Sequence, residues 1–165
     1  MGLPEPRLRA ERARRGQAAW PLRVIVSNSG RIGTDLRVFG ENFSPILIYS
    51  TSRMPASVRK KLASRAALHL SDGAAVDLRG MLADLRSRYD VRRVVCEGGG
   101  ALFRSLLEAG LIHELNLTLC PLIFGGEKAP SLTGLPGSFL PPGIRARIAE
   151  MKVAGGECFL RYVLR

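Results

Sequence analysis

The run with the most chemical content is Val94-Val-Cys-Glu-Gly-Gly-Gly-Ala-Leu-Phe103. Apolar residues suited to a buried strand lead into Gly98, Gly99 and Gly100, and a helix-forming stretch comes next. The first amides of a helix have no carbonyl partner within it, and their partial positive charge favours a phosphate. Glycine adds close approach to the backbone and access to positive φ. The pattern admits a phosphate seat or a simple sharp turn. It is not a dinucleotide fingerprint, because G-x-G-x-x-G would need glycine where Phe103 stands, and no G-K-[ST] is present to make a nucleoside-triphosphate loop.

Glu97 is a carboxylate at the end of an apolar strand-like run. In open α/β sheets ligands bind at the carboxyl ends of the strands. A carboxylate there either caps a neighbouring loop or accepts hydrogen bonds from N–H groups of a substrate. Two other strand ends carry polar groups toward the same expected edge. They are Ser27 with Ser29, and Ser50-Thr51-Ser52-Arg53. Hydroxyls, glycines and a guanidinium at three strand ends suit an anionic dinucleotide. Arg53 reads either as a phosphate ligand, since a guanidinium matches phosphate geometry, or as a solvated arginine at a helix start.

Other chemistries are poorly supplied. Cys96, Cys120 and Cys158 lie far apart without C-x-x-C or paired Cys/His spacing, which excludes a disulfide framework and a zinc module. Each sits in an apolar run, so buried free thiols in a reducing, cytoplasmic setting are expected. His69 and His113 are the only histidines, and His113 reads as structural. No metal site and no certain catalytic residue emerges. The chain has 165 residues, with 25 Lys+Arg against 14 Asp+Glu and a net charge of +11. Such a charge attracts nucleotides, phosphorylated metabolites and nucleic acid. Arg7, Arg9, Arg12, Arg14 and Arg15 crowd the start, but no aromatic interleaves with them, so nucleic acid is not the expected partner. No apolar run reaches the ~18 residues of a membrane span, and the start does not read as a secretory signal.

These groups need a scaffold. Residues 4–15 read as a short basic helix ended by Gly16, with Pro21 marking a linker. Strands are expected at 22–27, 45–49 (a continuous apolar run, hence buried on both faces), 67–70, 93–97, 113–121, 145–153 and 157–164. A short extended piece is expected at 36–39. Helices are expected from Pro55 to about residue 65, after an Asp77 cap, and over 101–109 with Gly110 at the end. Gly155-Gly156 marks a hairpin, and 127–143 reads as a Pro/Gly-rich loop. Strand and helix in alternation imply right-handed crossovers and a mostly parallel sheet, closed by an antiparallel hairpin. The expected organisation is a basic helix and linker over 1–21 and one α/β domain over 22–165.

Val94–Glu97, Gly98–Gly100, the run Leu106-Leu-Glu-Ala-Gly-Leu-Ile-His-Glu-Leu115 and the run Leu119-Cys-Pro-Leu-Ile-Phe-Gly-Gly126 resemble the signature of the reductase domain of bacterial riboflavin biosynthesis. His113 stands where that family usually has Asp. The resemblance runs from about Leu22 to Val163. It implies a dihydrofolate-reductase-like, three-layer α/β fold and NADPH-dependent reduction of the ribosyl group of 5-amino-6-(5-phosphoribosylamino)uracil to ribityl. Glu97 matches the carboxylate that contacts substrate. Gly98, Gly99, Gly100, Ala101 and Leu102 match the cofactor-phosphate segment, and the Ser27–Ser29 turn matches a cofactor-contacting turn. Arg53 follows dihydrofolate reductase by analogy, toward a 2′-phosphate, and Thr51 beside it is expected to bind the cofactor as part of the same strand end. The resemblance favours a homodimer.

The resemblance departs at the start. Family members open with a strand bearing an S-x-D-G loop, a helix, and a second strand leading to a threonine-bearing loop. Here Pro4-Glu-Pro-Arg-Leu8 resembles the continuation of the family pattern beyond that loop. The sheet is therefore expected to lack N-terminal strands, leaving an unpaired edge prone to association. The competing expectations are a truncated or inactive reductase-like protein that binds a nucleotide or nucleic acid through its basic surface, and a reductase of the same fold with another substrate.

Overall fold

The computed structural model describes residues 5–123, 125–126, 129, 131–134 and 143–164. The chain divides into two compact units, residues 1–81 and 82–165. The first opens with helix α1, Pro6–Arg14, which starts on a proline suited to the first helical position and ends before Gly16 at φ +69°. Strands β1 (Arg23–Ser27), β2 (Ile46–Thr51) and β3 (Ala67–Ser71) form a parallel sheet in that order. Arg23 pairs with Ile46 and Ser27 with Ser50, while Leu47 pairs with Ala67 and Thr51 with Ser71. The central β2 is buried along its whole length, as its unbroken apolar run requires. Helix α2, Ala56–Leu62, begins after Pro55.

The core of this unit joins Val38, Phe39, Ile46, Ile48, Met54 and Leu62, with Ile25, Val58, Leu68 and Leu70 packed against them. Val38 and Phe39 belong to a 3-10 helix, Arg37–Phe39, and not to the extended piece expected at 36–39. The Phe39 amide donates to the Leu36 carbonyl and the Gly40 amide to that of Arg37. A tight helical turn directs two consecutive apolar side chains inward, whereas a strand would send one of them to solvent.

Helix α3, Leu78–Tyr89, contains the division between the units. Asp77 caps it, its Oδ1 accepting from the amides of Arg79 and Gly80 at 3.0 Å each. In the second unit, α4 (Gly100–Glu108) buries Phe103 and Leu106, and the chain turns at Gly110 with φ +66°. Strands β4 (Glu114–Leu119), β5 (Ala146–Ala154) and β6 (Glu157–Leu164) form an antiparallel sheet in the order β4-β6-β5. Gly155 and Gly156, at φ +62° and +84°, make the hairpin turn, and β5 bulges between Ile148 and Glu150. The His113 carbonyl accepts the Leu164 amide at 2.9 Å beside β4.

The strand expected at 93–97 does not form. Residues 91–99 are irregular, and Val94 and Val95 are 49% and 74% exposed. Strand geometry needs a neighbour's N–H and C=O groups, and among the described residues this segment has none. The cysteines also depart from expectation. All are free, but Cys120 is exposed and Cys96 and Cys158 are half-buried. Most of the 127–143 loop lies outside the described residues.

Candidate functional site

Parallel pairing brings the ends of β1, β2 and β3 to one edge, and a row of hydroxyls stands there. The Ser50 hydroxyl donates to the Ser27 carbonyl at 2.6 Å, and that of Ser71 to the Ser50 carbonyl at 3.4 Å. The Thr51 hydroxyl donates to the Asn28 carbonyl at 2.7 Å and accepts the Arg53 amide at 3.3 Å and Arg53 Nε at 3.4 Å. Thr51 is 0% exposed, so it shapes the edge and offers no surface to a ligand. Ser27 Oγ accepts the Gly30 amide and Ser29 Oγ the Arg31 amide, each a local turn bond. Ser29 is exposed and Ser27 partly so.

Arg53 is not a free solvated side chain, and among the described residues it has no ion pair. Its Nη2 donates to the carbonyls of Asn28, at 3.4 Å, and Ala74. Together with the Nε contact to Thr51 at the end of β2, the guanidinium is fixed by three acceptors, the other two on the loops after β1 and β3, while the residue stays exposed. Among the described residues Nη1 makes no hydrogen bond. A planar fork held at one end with free N–H groups at the other suits a phosphate. The sequence pattern does not single out Asn28. Its Oδ1 accepts the Val76 amide at 2.9 Å across 48 positions, a long-range contact that no local spacing foretells. Its one local signal is an Asn directly after a strand.

Glu97, Gly98, Gly99, Gly100, Ala101 and Leu102 lie in the second unit. The amides of Gly99, Gly100 and Ala101 have no partner among the described residues, while those of Leu102 and Phe103 donate to the Gly99 carbonyl. Among the described residues no side chain caps the helix at Gly99. A Cβ on Gly99 would meet nothing within 4 Å, whereas one on Gly100 would lie 2.4 Å from the Gly134 nitrogen. Among the described residues the bend is thus open at Gly99 and closed on the Gly100 side by the backbone at 133–134. Glu97 is exposed, with no hydrogen bond or ion pair among the described residues.

The basic start is partly engaged within the chain. Arg9 lies over the Trp20 ring at 4.6 Å, Arg12 donates to the Ala18 carbonyl, and Arg15 pairs with Glu11. Arg23 donates to the carbonyls of Val38, Glu41 and Ser44, and burial lowers its pKa against the opposing pull of Glu41. Among the described residues no helix is long and apolar enough to cross a membrane.

Residues 4–157 match the family model described as the RibD C-terminal domain. The chain belongs to that family. A 2,5-diamino-6-ribosylamino-4(3H)-pyrimidinone 5′-phosphate reductase of Methanothermobacter thermautotrophicus is 27% identical, over 98% of this chain and 74% of its own. The reductase of the same name from Archaeoglobus fulgidus is 31% identical over 76% of this chain and 56% of its own. Against the riboflavin biosynthesis protein RibD of Chlamydia pneumoniae, at 30% identity, the chain spans 36% of the relative's length. Most of these relatives therefore extend well beyond the part matched here. Among solved structures, a pyrimidine reductase-like protein of Corynebacterium diphtheriae superposes with a TM-score of 0.83 at 19% identity, covering 99% of this chain and 68% of its own. Acinetobacter baumannii RibD gives 0.72 at 21% identity, covering 90% and 39%. The fold of this RibD C-terminal domain is thus the dihydrofolate-reductase-like α/β fold of RibD-type reductases.

Proposed function

We propose that this domain binds NADPH and reduces the ribosyl group of a ribosylamino-pyrimidine 5′-phosphate to ribityl, a step of riboflavin biosynthesis. The observation that carries the reading is the Arg53 guanidinium held at a hydroxyl-lined sheet edge with N–H groups unspent. Membership of the RibD C-terminal domain family and the names of its relatives support the substrate class. When bound, the cofactor supplies the hydride. The protein supplies position and charge. Arg53 holds the 2′-phosphate, and Ser27 and Ser29 present the turn after β1 to the nucleotide. Thr51 acts indirectly, by holding Arg53. In the second unit, the segment Gly98, Gly99, Gly100, Ala101 and Leu102 suits a cofactor phosphate, because the amides of Gly99, Gly100 and Ala101 at the start of α4 have no partner among the described residues. Glu97 accepts hydrogen bonds from pyrimidine N–H groups and orients the ring. It is not the proton donor, and water or the substrate's own phosphate delivers the proton.

The free thiols fit a cytoplasmic enzyme. The apolar face bearing Leu119, Met151 and Val153, each more than half exposed, fits a homodimer. The direct test monitors NADPH absorbance with the full chain and the ribosylaminopyrimidine phosphate, both as the diaminopyrimidinone and as the aminouracil. Oxidation is expected with one of them, and Glu97→Gln should raise KM or lower kcat by about tenfold, as expected for removing the charge from a charge-assisted hydrogen bond. A chain that binds no dinucleotide, or kinetics untouched by Glu97→Gln, refutes the respective assignment.

A further inference from the structure

The geometry points to Asn28 as the residue that positions Arg53 and so sets preference for a 2′-phosphate. This rests on the cofactor reading above. Asn28 comes directly after the last residue of β1 and touches the loops after all three strands. Its main-chain carbonyl accepts the Thr51 hydroxyl at 2.7 Å and Arg53 Nη2 at 3.4 Å. Its side-chain Oδ1 accepts the Val76 amide at 2.9 Å. The loop so held, after β3, carries the Ala74 carbonyl that receives the other bond from Nη2. Removing the Asn28 amide frees Val76, then the loop, then one of the three acceptors that fix the guanidinium. A fork already fixed loses little side-chain freedom when it takes a phosphate, whereas a released one must be ordered by the ligand.

The chemistry also favours Asn over Asp. An aspartate would keep the shape and accept the Val76 amide equally well. It would also place a negative charge beside the guanidinium, where it competes with the phosphate for Arg53 and repels it. Asn28 therefore orders the loop without charging the site. This is a positioning role, because Asn28 acts through Arg53.

The test uses the full chain. NADPH and NADH are titrated by fluorescence, 2′,5′-ADP and 5′-AMP by calorimetry, and exchange of the Val76 amide is measured alongside melting temperature. Wild type should prefer NADPH and 2′,5′-ADP by about tenfold or more, and Arg53→Ala should abolish that preference. Asn28→Ala should weaken NADPH about fivefold, leave NADH within about twofold, and speed Val76 exchange, as loss of one ordering hydrogen bond implies. Asn28→Asp should keep Val76 protection and melting temperature yet lose at least about tenfold in NADPH affinity, with NADH unchanged. Equal losses for both dinucleotides, or an unchanged ratio in both variants, overturn the role of Asn28 and leave the cofactor reading standing if Arg53→Ala still erases the preference. A wild type that binds neither dinucleotide, or an Arg53→Ala variant that keeps full preference, overturns the cofactor reading and this inference with it.

Discussion

Gly30 offers the sharpest structural test of the sheet edge. It sits at φ +62°, and a Cβ built on it would lie 2.4 Å from Met54 Cβ and 2.6 Å from Met54 Cα. Gly30→Ala therefore carries two penalties. An L-residue in the left-handed region costs about 1–2 kcal/mol. The overlap adds more, because Met54 Cα is backbone and cannot swing aside. Relieving it means moving the turn or the start of α2, and overpacking of that kind costs about 1–3 kcal/mol. The sum is about 2–5 kcal/mol, a large part of the ~5–15 kcal/mol that typically holds a domain folded.

Gly16 is the matched control. Its φ is +69° and a Cβ there would meet nothing within 4 Å, so Gly16→Ala carries the conformational penalty alone. Urea unfolding of both variants, monitored by circular dichroism, separates the two terms. Gly30→Ala should be less stable than Gly16→Ala by at least about 1 kcal/mol, the lower end of the overpacking range. Because the Met54 amide donates to the Thr51 carbonyl and Arg53 adjoins it, Gly30→Ala should also weaken NADPH binding, while Gly16→Ala leaves it unchanged. Equal stabilities for the two variants would show that the turn after β1 does not press on Met54.

Packing and charge give two further expected outcomes. Leu62 is fully buried at the end of α2, so Leu62→Ala should cost about 2–5 kcal/mol by denaturant unfolding, and a loss below about 1 kcal/mol would contradict the core assignment. The Cys120 thiol donates to Glu157 Oε1 at 3.1 Å, and that hydrogen bond is the main cause of its raised pKa, with burial and the carboxylate's charge adding to it. A raised pKa means less thiolate at any given pH below it, so Cys120 should alkylate slowly at mildly alkaline pH. Glu157→Gln should speed its labelling about two- to fivefold, read by peptide mass spectrometry against Cys96, and an unchanged rate would refute the contact.

The parallel sheet is legible in the sequence because each strand carries its own signal. Val24-Ile-Val26 and Ile46-Leu-Ile-Tyr49 are apolar runs closed by turn residues, and burial alone accounts for them. Asp77, Gly110 and Gly155-Gly156 are legible for a related reason, since caps and tight turns are satisfied by atoms a few residues away. The site is legible in residue type and less so in role. Thr51 and Arg53 sit at the edge as expected, but whether a hydroxyl faces a ligand or a neighbouring carbonyl depends on the register between strands. Asn28 escapes such a reading because its partner lies on the loop after β3, which reaches it only once two crossovers are in place.

Residues 93–97 mark the limit of apolar patterning as a guide to strands. Val94 and Val95 have the side chains of a buried strand, yet they stand exposed in irregular backbone. Apolar content records that a segment is suited to burial. It does not record that a ladder is available, and a strand exists only when another supplies its hydrogen-bond partners. β1 and β4 each pair along one edge alone among the described residues, so each presents an unused row of backbone donors and acceptors. The sheet that positions Arg53 from the side of β2 and β3 thus has, among the described residues, no strand on the far side of β1. Pairing there would constrain Ser27 and Asn28, the two residues through which β1 reaches the candidate site. The stiffness of the Arg53 guanidinium is therefore tied to the state of that edge, and if Arg53 holds the cofactor as proposed, strand pairing along β1 should tighten dinucleotide binding without adding any contact to the ligand.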